Sequence, residues 1–244
     1  VVWLMARNNA FHFKTFSIFH HQSVFKVGTD SALLGAWTLK NAQPFSKALD
    51  IGTGTGVLAH FIAQHSEKKQ VLAIDINEEA ISLCEQNAIH NHFENQIKTS
   101  LTNFKDLESD KKFDLIICNP PYFKASLKNE LNSKTQARHQ DDLFQWSLFF
   151  EKANDISTDD TQIALVFPYE QLEEVQTSAN ENGFYSRHIC FVKGNAASEY
   201  KRALVLLDRQ EDGIQKKECL TVETARHQYS LKALKLLKPY YLKL

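Results

Sequence analysis

The chain has 244 residues, 43% of them apolar, which is enough for one sizeable core with small terminal additions. Its formal charge of −1 excludes any attraction of the whole molecule to a polyanion, so nucleic acid would have to be met by local basic patches. No apolar run approaches the roughly 20 residues of a membrane span, and the start has no basic stretch followed by a long apolar one, so no membrane or secretory role is expected.

The only methionine is Met5, and residues 1–4 are set aside from fold reasoning. Residues 11–27 alternate aromatic and polar side chains (Phe11, Phe13, Phe16, Ile18), the pattern of a small hairpin expected to cap the site. Ala32, Leu33, Leu34 and Trp37 can form the apolar face of an N-terminal helix. From residue 47 to 208, short apolar runs alternate with longer amphipathic ones, which predicts β-α units feeding a mostly parallel sheet with helices on both faces. The strand candidates are 47–51, 70–75, 96–100, 113–118, 162–167, 184–192 and 203–208, seven in all, with helical stretches near 56–66, 78–91, 140–156 and 169–181. The link between the last two strands, residues 193–198, is too short for a helical crossover, so the final strand should run antiparallel. Residues 124–139 read as a long polar loop, and loops of that length in a compact domain are usually functional or disordered. Residues 220–224 and 231–237 suggest a further strand and a closing helix, with Leu231, Leu234 and Leu237 at helical spacing. The expected organisation is a single domain: a hairpin and helix extension over 1–40, a core over 41–208, and a strand and helix over 209–244.

The four cysteines, Cys84, Cys118, Cys190 and Cys219, form no CxxC pair and mostly lie in apolar runs, so they read as reduced core residues of a cytoplasmic protein. The histidine pairs His20/His21 and His90/His92 lack a third ligand at convincing spacing, and no metal is expected.

Three constellations carry chemistry. The first is Asp50-Ile51-Gly52-Thr53-Gly54-Thr55-Gly56-Val57, a strand running through a glycine-rich turn into a helix. Gly52, Gly54 and Gly56 let the backbone turn sharply and approach a ligand at the helix start. A dinucleotide fingerprint would want glycine at 57, where valine stands, so nicotinamide cofactors are disfavoured. The second is Asp75 at the end of the next strand, able to accept from both hydroxyls of a ribose, followed by Ile76, able to cover one face of an adenine. Asn77, Glu78 and Glu79 already supply the helix cap, so Asp75 is not needed for it.

The third constellation, Asn119-Pro120-Pro121-Tyr122 directly after a buried strand, is the most specific. An exocyclic amine conjugated to a ring or carbonyl is a poor nucleophile because its lone pair is delocalised. If Asn119 Oδ1 and the Pro120 carbonyl both accept from it, the nitrogen is drawn toward tetrahedral geometry and its lone pair is released. The prolines hold the carbonyl in place. Tyr122 offers a flat surface on which a planar acceptor can stack, a contact worth about 1–3 kcal/mol per base.

In this order the pieces resemble class I, Rossmann-like methyltransferases that modify amino nitrogens, which share a DxGxGxG cofactor loop and an NPPY tetrapeptide; the resemblance covers roughly residues 22–208. More narrowly, residues 25–37 (FKVGTDSALLGAW), Ala137-Arg138-His139 and Tyr240-Tyr241-Leu242 look like bacterial tRNA1(Val) adenine-N6 methyltransferases. The resemblance implies S-adenosylmethionine as cofactor and transfer to the N6 of the adenosine 3′ of the anticodon, with a tRNA anticodon stem-loop as partner. It further implies that Asp50, Gly52, Asp75 and Asn119 contact the cofactor or the reacting amine, and that Gly28, Thr29 and Asp30 close over the methionine end. Many relatives carry an acid at the end of the third strand to read the cofactor adenine, and here Ser100 aligns with it.

Two local basic clusters stand out for phosphate contact. Lys124, Lys128, Lys134 and Arg138 occur against one acid, Glu130, in the long loop, and Arg226, Lys232, Lys235, Lys238 and Lys243 occur with no acid in the tail. Alternatives remain open: glutamine-N5 methyltransferases of release factors and guanine-N2 methyltransferases of ribosomal RNA pose the same lone-pair problem, and a noncatalytic RNA-binding or S-adenosylmethionine-sensing protein could keep the fold. A monomer is the simplest assembly.

Overall fold

The computed structural model describes residues 10–21, 24, 27–108, 110, 112–120, 144–226 and 228–242. Its centre is an eight-stranded sheet of order β10-β8-β9-β7-β6-β3-β4-β5. These strands are β3 (Lys47–Ile51), β4 (Gln70–Asp75), β5 (Ile97–Leu101), β6 (Phe113–Cys118), β7 (Ser157–Pro168), β8 (Tyr185–Lys193), β9 (Arg202–Asp208) and β10 (Lys216–Thr221). Only β9 runs against its neighbours, pairing antiparallel with both β7 and β8. That is the antiparallel hairpin expected from the short link, whose turn is closed by Asn195 Oδ1 accepting from Ala197 N and Ser198 N.

Eight strands stand where seven were expected. The extra one, β10, pairs parallel with β8 and reads Lys-Lys-Glu-Cys-Leu-Thr, a charged edge strand without clear alternation. Similarly, β7 starts earlier than its apolar run, because Thr158, Asp159 and Asp160 enter the strand at its solvated end.

Alternate residues of each strand feed two cores. Ala48, Val71, Leu115, Ile117, Ala164 and Leu204 face helices α1 (Thr29–Asn41), α2 (Val57–Ala63), α3 (Glu78–His90) and the closing helix. Leu49, Ile51, Ile116, Ile163 and Val205 face α4 (Trp146–Asp155) and α5 (Leu172–Glu181). Strands buried on both faces lose the period-two polarity of a half-exposed sheet, which is why they read as continuous apolar runs.

The N-terminal hairpin, β1 (Ala10–His12) with β2 (Ser17–Phe19), does form. It packs on the helices: Phe13 and Phe16 meet the Phe61 ring edge-on at 5.1 and 5.6 Å, and Asn87 of α3 and Asn91 just past its end accept from Phe19 N and Ser17 N. Val24, beyond the hairpin, lies close enough to the glycine loop that a Cβ on Gly54 would come within 4.0 Å of it. At the other end, β11 (Glu223–Ala225) and β12 (Gln228–Tyr229) precede α6 (Leu231–Leu237). The buried face of α6 is Ala233, Leu236 and Leu237, not the 231/234/237 spacing, and Leu231 is 77% exposed. The cysteines are all free; Cys84, Cys118 and Cys190 are buried, but Cys219 on β10 is exposed, contrary to the core reading.

Candidate active site

The glycine-rich turn lies at the carboxyl edge of the sheet, where β3 hands over to α2. Gly52, Gly54 and Gly56 all have positive φ, at 67°, 55° and 83°. A Cβ on Gly52 would meet nothing within 4 Å, so the loop's outer surface is open to a ligand, whereas a Cβ on Gly56 would come within 2.6 Å of Cys84 Sγ. The turn is thus bare above and tightly packed below. His60, fully buried, donates from Nδ1 to the Gly56 carbonyl at 2.7 Å, and burial holds its pKa below the ordinary value, keeping the ring neutral.

Asp50 lies beneath this loop rather than on its outer surface. Its side chain is fully buried, and Oδ2 accepts from Thr53 Oγ1 at 2.6 Å and from Ala59 N at 3.1 Å. Oδ1 has no hydrogen-bond partner among the described residues. Burial, opposed by the Thr53 and Ala59 hydrogen bonds, pushes the carboxyl up to about 7. Asp50 therefore props the loop from below. Thr53, which sequence reasoning passed over, is the residue that links the two.

Asp75 ends β4 beside the loop. Its Oδ2 accepts from Gly54 N at 2.9 Å and its Oδ1 from Asn77 N at 3.0 Å, which fixes the carboxylate plane and still leaves each oxygen a lone pair. Asn77 Oδ1 caps α3 by accepting from Glu79 N, so Asp75 is not spent on that helix. Ile76 is 74% exposed at the same rim, joined there by Leu101, 54% exposed and opposite Asp75 in the β4–β5 register. Leu101 was missed because it falls one residue past the predicted strand end. The Ser100 hydroxyl is hydrogen-bonded to Thr102 Oγ1 at 2.6 Å.

Across β3, Asn119 and Pro120 follow β6. One strand separates β4 from β6, so Asp75 and Asn119 sit about 10 Å apart along the edge. Asn119 Nδ2 donates to Ser31 Oγ at 2.8 Å, which brings the first turn of α1 to the first residue after β6. Pro120 is buried. Gly28 caps α1, and Thr29 begins it; Asp30 is engaged by Arg202 at the start of β9, Nε to Oδ2 at 2.8 Å, with both side chains about 30% exposed. Pro121, Tyr122, Phe123, Lys124, Lys128, Lys134 and Arg138 lie outside the described residues.

A cavity of about 570 Å3 lies at the opposite edge of the sheet, lined by Asp114, Asp159, Asp160 and Arg209. It contains none of the motif residues. The open glycine turn and the exposed rim beside it mark the site better than enclosed volume does, because a shallow cleft at a sheet's carboxyl edge need not be a deep pocket. Among the described residues no group of three or more His, Cys, Asp or Glu could hold a metal, and no helix is long and apolar enough to cross a membrane. His92, half of one histidine pair, takes the left-handed position (φ 61°) that ends α3.

Residues 15–140 match the family described as methyltransferase small domain. The chain belongs to this family. A tRNA1(Val) (adenine(37)-N6)-methyltransferase of Flavobacterium psychrophilum is 34% identical over 96% of this chain and 100% of its own length. A tRNA1(Val) (adenine(37)-N6)-methyltransferase of Bacteroides thetaiotaomicron is 35% identical over 97% of this chain and 99% of its own. In fold, a solved structure from Agrobacterium tumefaciens described as a predicted O-methyltransferase superimposes with a TM-score of 0.65, at 16% identity, over 86% of this chain and 96% of that one. The methyltransferase carries its glycine turn, Asp75 rim and Asn119 along one edge of one sheet.

Proposed function

We propose that this methyltransferase uses S-adenosylmethionine to methylate the exocyclic N6 of an adenine in tRNA, with position 37 of tRNA1(Val) as the specific target. The observation that carries the reading is Asn119, placed directly after β6 with its amide nitrogen already committed to Ser31, on an edge whose neighbouring strands bear the open glycine turn and the Asp75 rim. Near-complete overlap with relatives named for that reaction supports the substrate.

The residues present fit the cofactor. Gly52 leaves room for close backbone approach, Asp75 keeps acceptor capacity for a ribose diol, and Ile76 and Leu101 are exposed apolar surfaces suited to an adenine ring. Gly28, Thr29 and the start of α1 stand near Asn119 for the methionine end, and Ser100 and Thr102 offer hydroxyls rather than a carboxylate to the adenine amine. When bound, S-adenosylmethionine supplies an electrophilic methyl group with a thioether as leaving group. Asn119 Oδ1 and the Pro120 carbonyl then serve as the two acceptors that draw the adenine amine out of conjugation, and Tyr122 and Phe123 receive the flipped base. No side chain has to act as general base, since the nitrogen becomes acidic as its new bond forms and the proton can leave to water afterwards. Lys124, Lys128, Lys134 and Arg138 contact the phosphates of the anticodon stem-loop.

The test is incubation with methyl-labelled S-adenosylmethionine and tRNA lacking the modification, followed by nucleoside analysis. Labelled N6-methyladenosine is expected. Label in guanosine, or only in an added release factor, would overturn the substrate and leave the cofactor site standing.

A further inference from the structure

We propose that Ser31 is a positioning residue for catalysis: its hydroxyl accepts from the Asn119 amide and fixes the direction and electron density of the amide oxygen that receives the substrate amine. The inference rests on the reading of Asn119 as the amine-polarising residue and names the group that sets it.

The geometry is direct. Ser31 is 8% exposed in the first turn of α1, and its Oγ lies 2.8 Å from Asn119 Nδ2. An amide swings about χ2 in a broad, two-fold well. A side chain that must present Oδ1 and not Nδ2 to an amine therefore needs its nitrogen end held, because a reversed amide would set donor against donor. Accepting a hydrogen bond from one end of an amide also shifts electron density to the other, since linked hydrogen bonds polarise one another. Asn119 Oδ1 thereby becomes the stronger acceptor for the adenine amine.

The turn carrying Ser31 is itself held in place. Asp30, its neighbour, is tied by Arg202 at 2.8 Å, and Arg202 opens β9 opposite Pro168, the last residue of β7. The sheet edge thus fixes α1 at two points, one just past β6 and one on β9. Below the turn, Ala32, Leu33 and Leu34 are buried in the core, which leaves the helix little freedom to withdraw Ser31 from the asparagine. An N-terminal helix outside the glycine-loop and NPPY segments is in this way part of the catalytic apparatus.

The test compares Ser31→Thr with Ser31→Val, which match each other in shape and differ in the hydroxyl. Ser31→Val should lower kcat roughly tenfold relative to Ser31→Thr, the loss of one well-oriented hydrogen bond. The KM for tRNA and the Kd for S-adenosylmethionine should agree between the two within about twofold, a split that general loosening of the fold would not produce. Equal kcat in the two variants, with the wild type active, would overturn the proposal. A second readout needs no activity: the Asn119 side-chain NH2 resonances, assigned by their loss in Asn119→Asp, should shift and exchange faster in Ser31→Val than in Ser31→Thr. Identical resonances would overturn the proposal even if the wild type modified no adenine, whereas inactivity of the wild type with the resonance difference intact would overturn only the substrate.

Discussion

At the scale of single residues, the two carboxylates beside the glycine turn do different work although both lie near strand ends at the same edge. Asp75 is half-buried at the rim and held by two backbone N–H groups, each of its oxygens accepting one of them. Asp75→Ala should weaken S-adenosylmethionine binding at least tenfold in calorimetry, while Asn119→Ala should lower kcat a hundredfold or more with cofactor affinity nearly unchanged. Asp50 is buried, and a carboxyl raised from 3.8 to about 7 binds its proton more tightly in the folded chain than in the unfolded one. Folding stability therefore falls as pH rises from about 4 to about 7, by up to about 4 kcal/mol from this group alone. Asp50→Asn removes that dependence, so its melting temperature should gain on the wild type at pH 8 relative to pH 5. A constant difference between the two proteins across that range would show that Asp50 does not titrate there.

Helices show how packing overrides spacing. In α6 the buried face is Ala233, Leu236 and Leu237, which join the same core as Leu220, and the spacing of the leucines alone does not reveal that face. Leu236→Ala or Leu237→Ala should cost about 2–4 kcal/mol in denaturant unfolding, whereas Leu231→Ala should stay within about 0.5 kcal/mol. In α1 the close approach to α2 depends on Gly35, where an added Cβ would lie 2.6 Å from Phe61 Cγ. Gly35→Ala has to push the Phe61 ring, against which Phe13 and Phe16 also pack, and should destabilise by about 1–3 kcal/mol despite the better helix propensity of alanine.

For the molecule as a whole, the strand order divides the site. The β3–β4–β5 half carries the glycine turn and the Asp75 rim, the β7–β9–β8 half lies on the other side, and Asn119 stands just past the end of β6 between them. The first and last described segments belong to this body: Phe13 bridges to Tyr241, the Tyr241 ring packs edge-on against Phe13, and Leu220 and Leu236 share the core with α1 and α2. A chain cut after Asp208 loses β10 and α6 together and should no longer unfold in a single cooperative transition by circular dichroism. Since net charge is only −1, RNA affinity must come from local clusters. Lys128→Gln with Lys134→Gln should raise the apparent KM for tRNA and flatten its dependence on salt. An unchanged salt slope would remove the 124–139 segment from the phosphate contacts.

Sequence alone determined the α/β class, most strand positions and the antiparallel run of β9, and it singled out three segments whose described residues the fold gathers at one sheet edge. Each of these rests on local information: buried parallel strands are unbroken apolar runs, turns with positive φ need glycine, and Asn-Pro-Pro-Tyr is a pattern of four adjacent residues. Only the tertiary structure decided the rest. That β10 joins the sheet depends on an edge beside β8 that no apolar pattern in Lys216–Thr221 announces. That Asp50 supports the loop from beneath, that Leu101 joins the rim, and that Ser31 meets Asn119 depend on which strands lie side by side and where α1 comes to rest across their ends. Such pairings are set by burial and close packing between segments remote in the chain, and a reading along the sequence does not contain the distances between them.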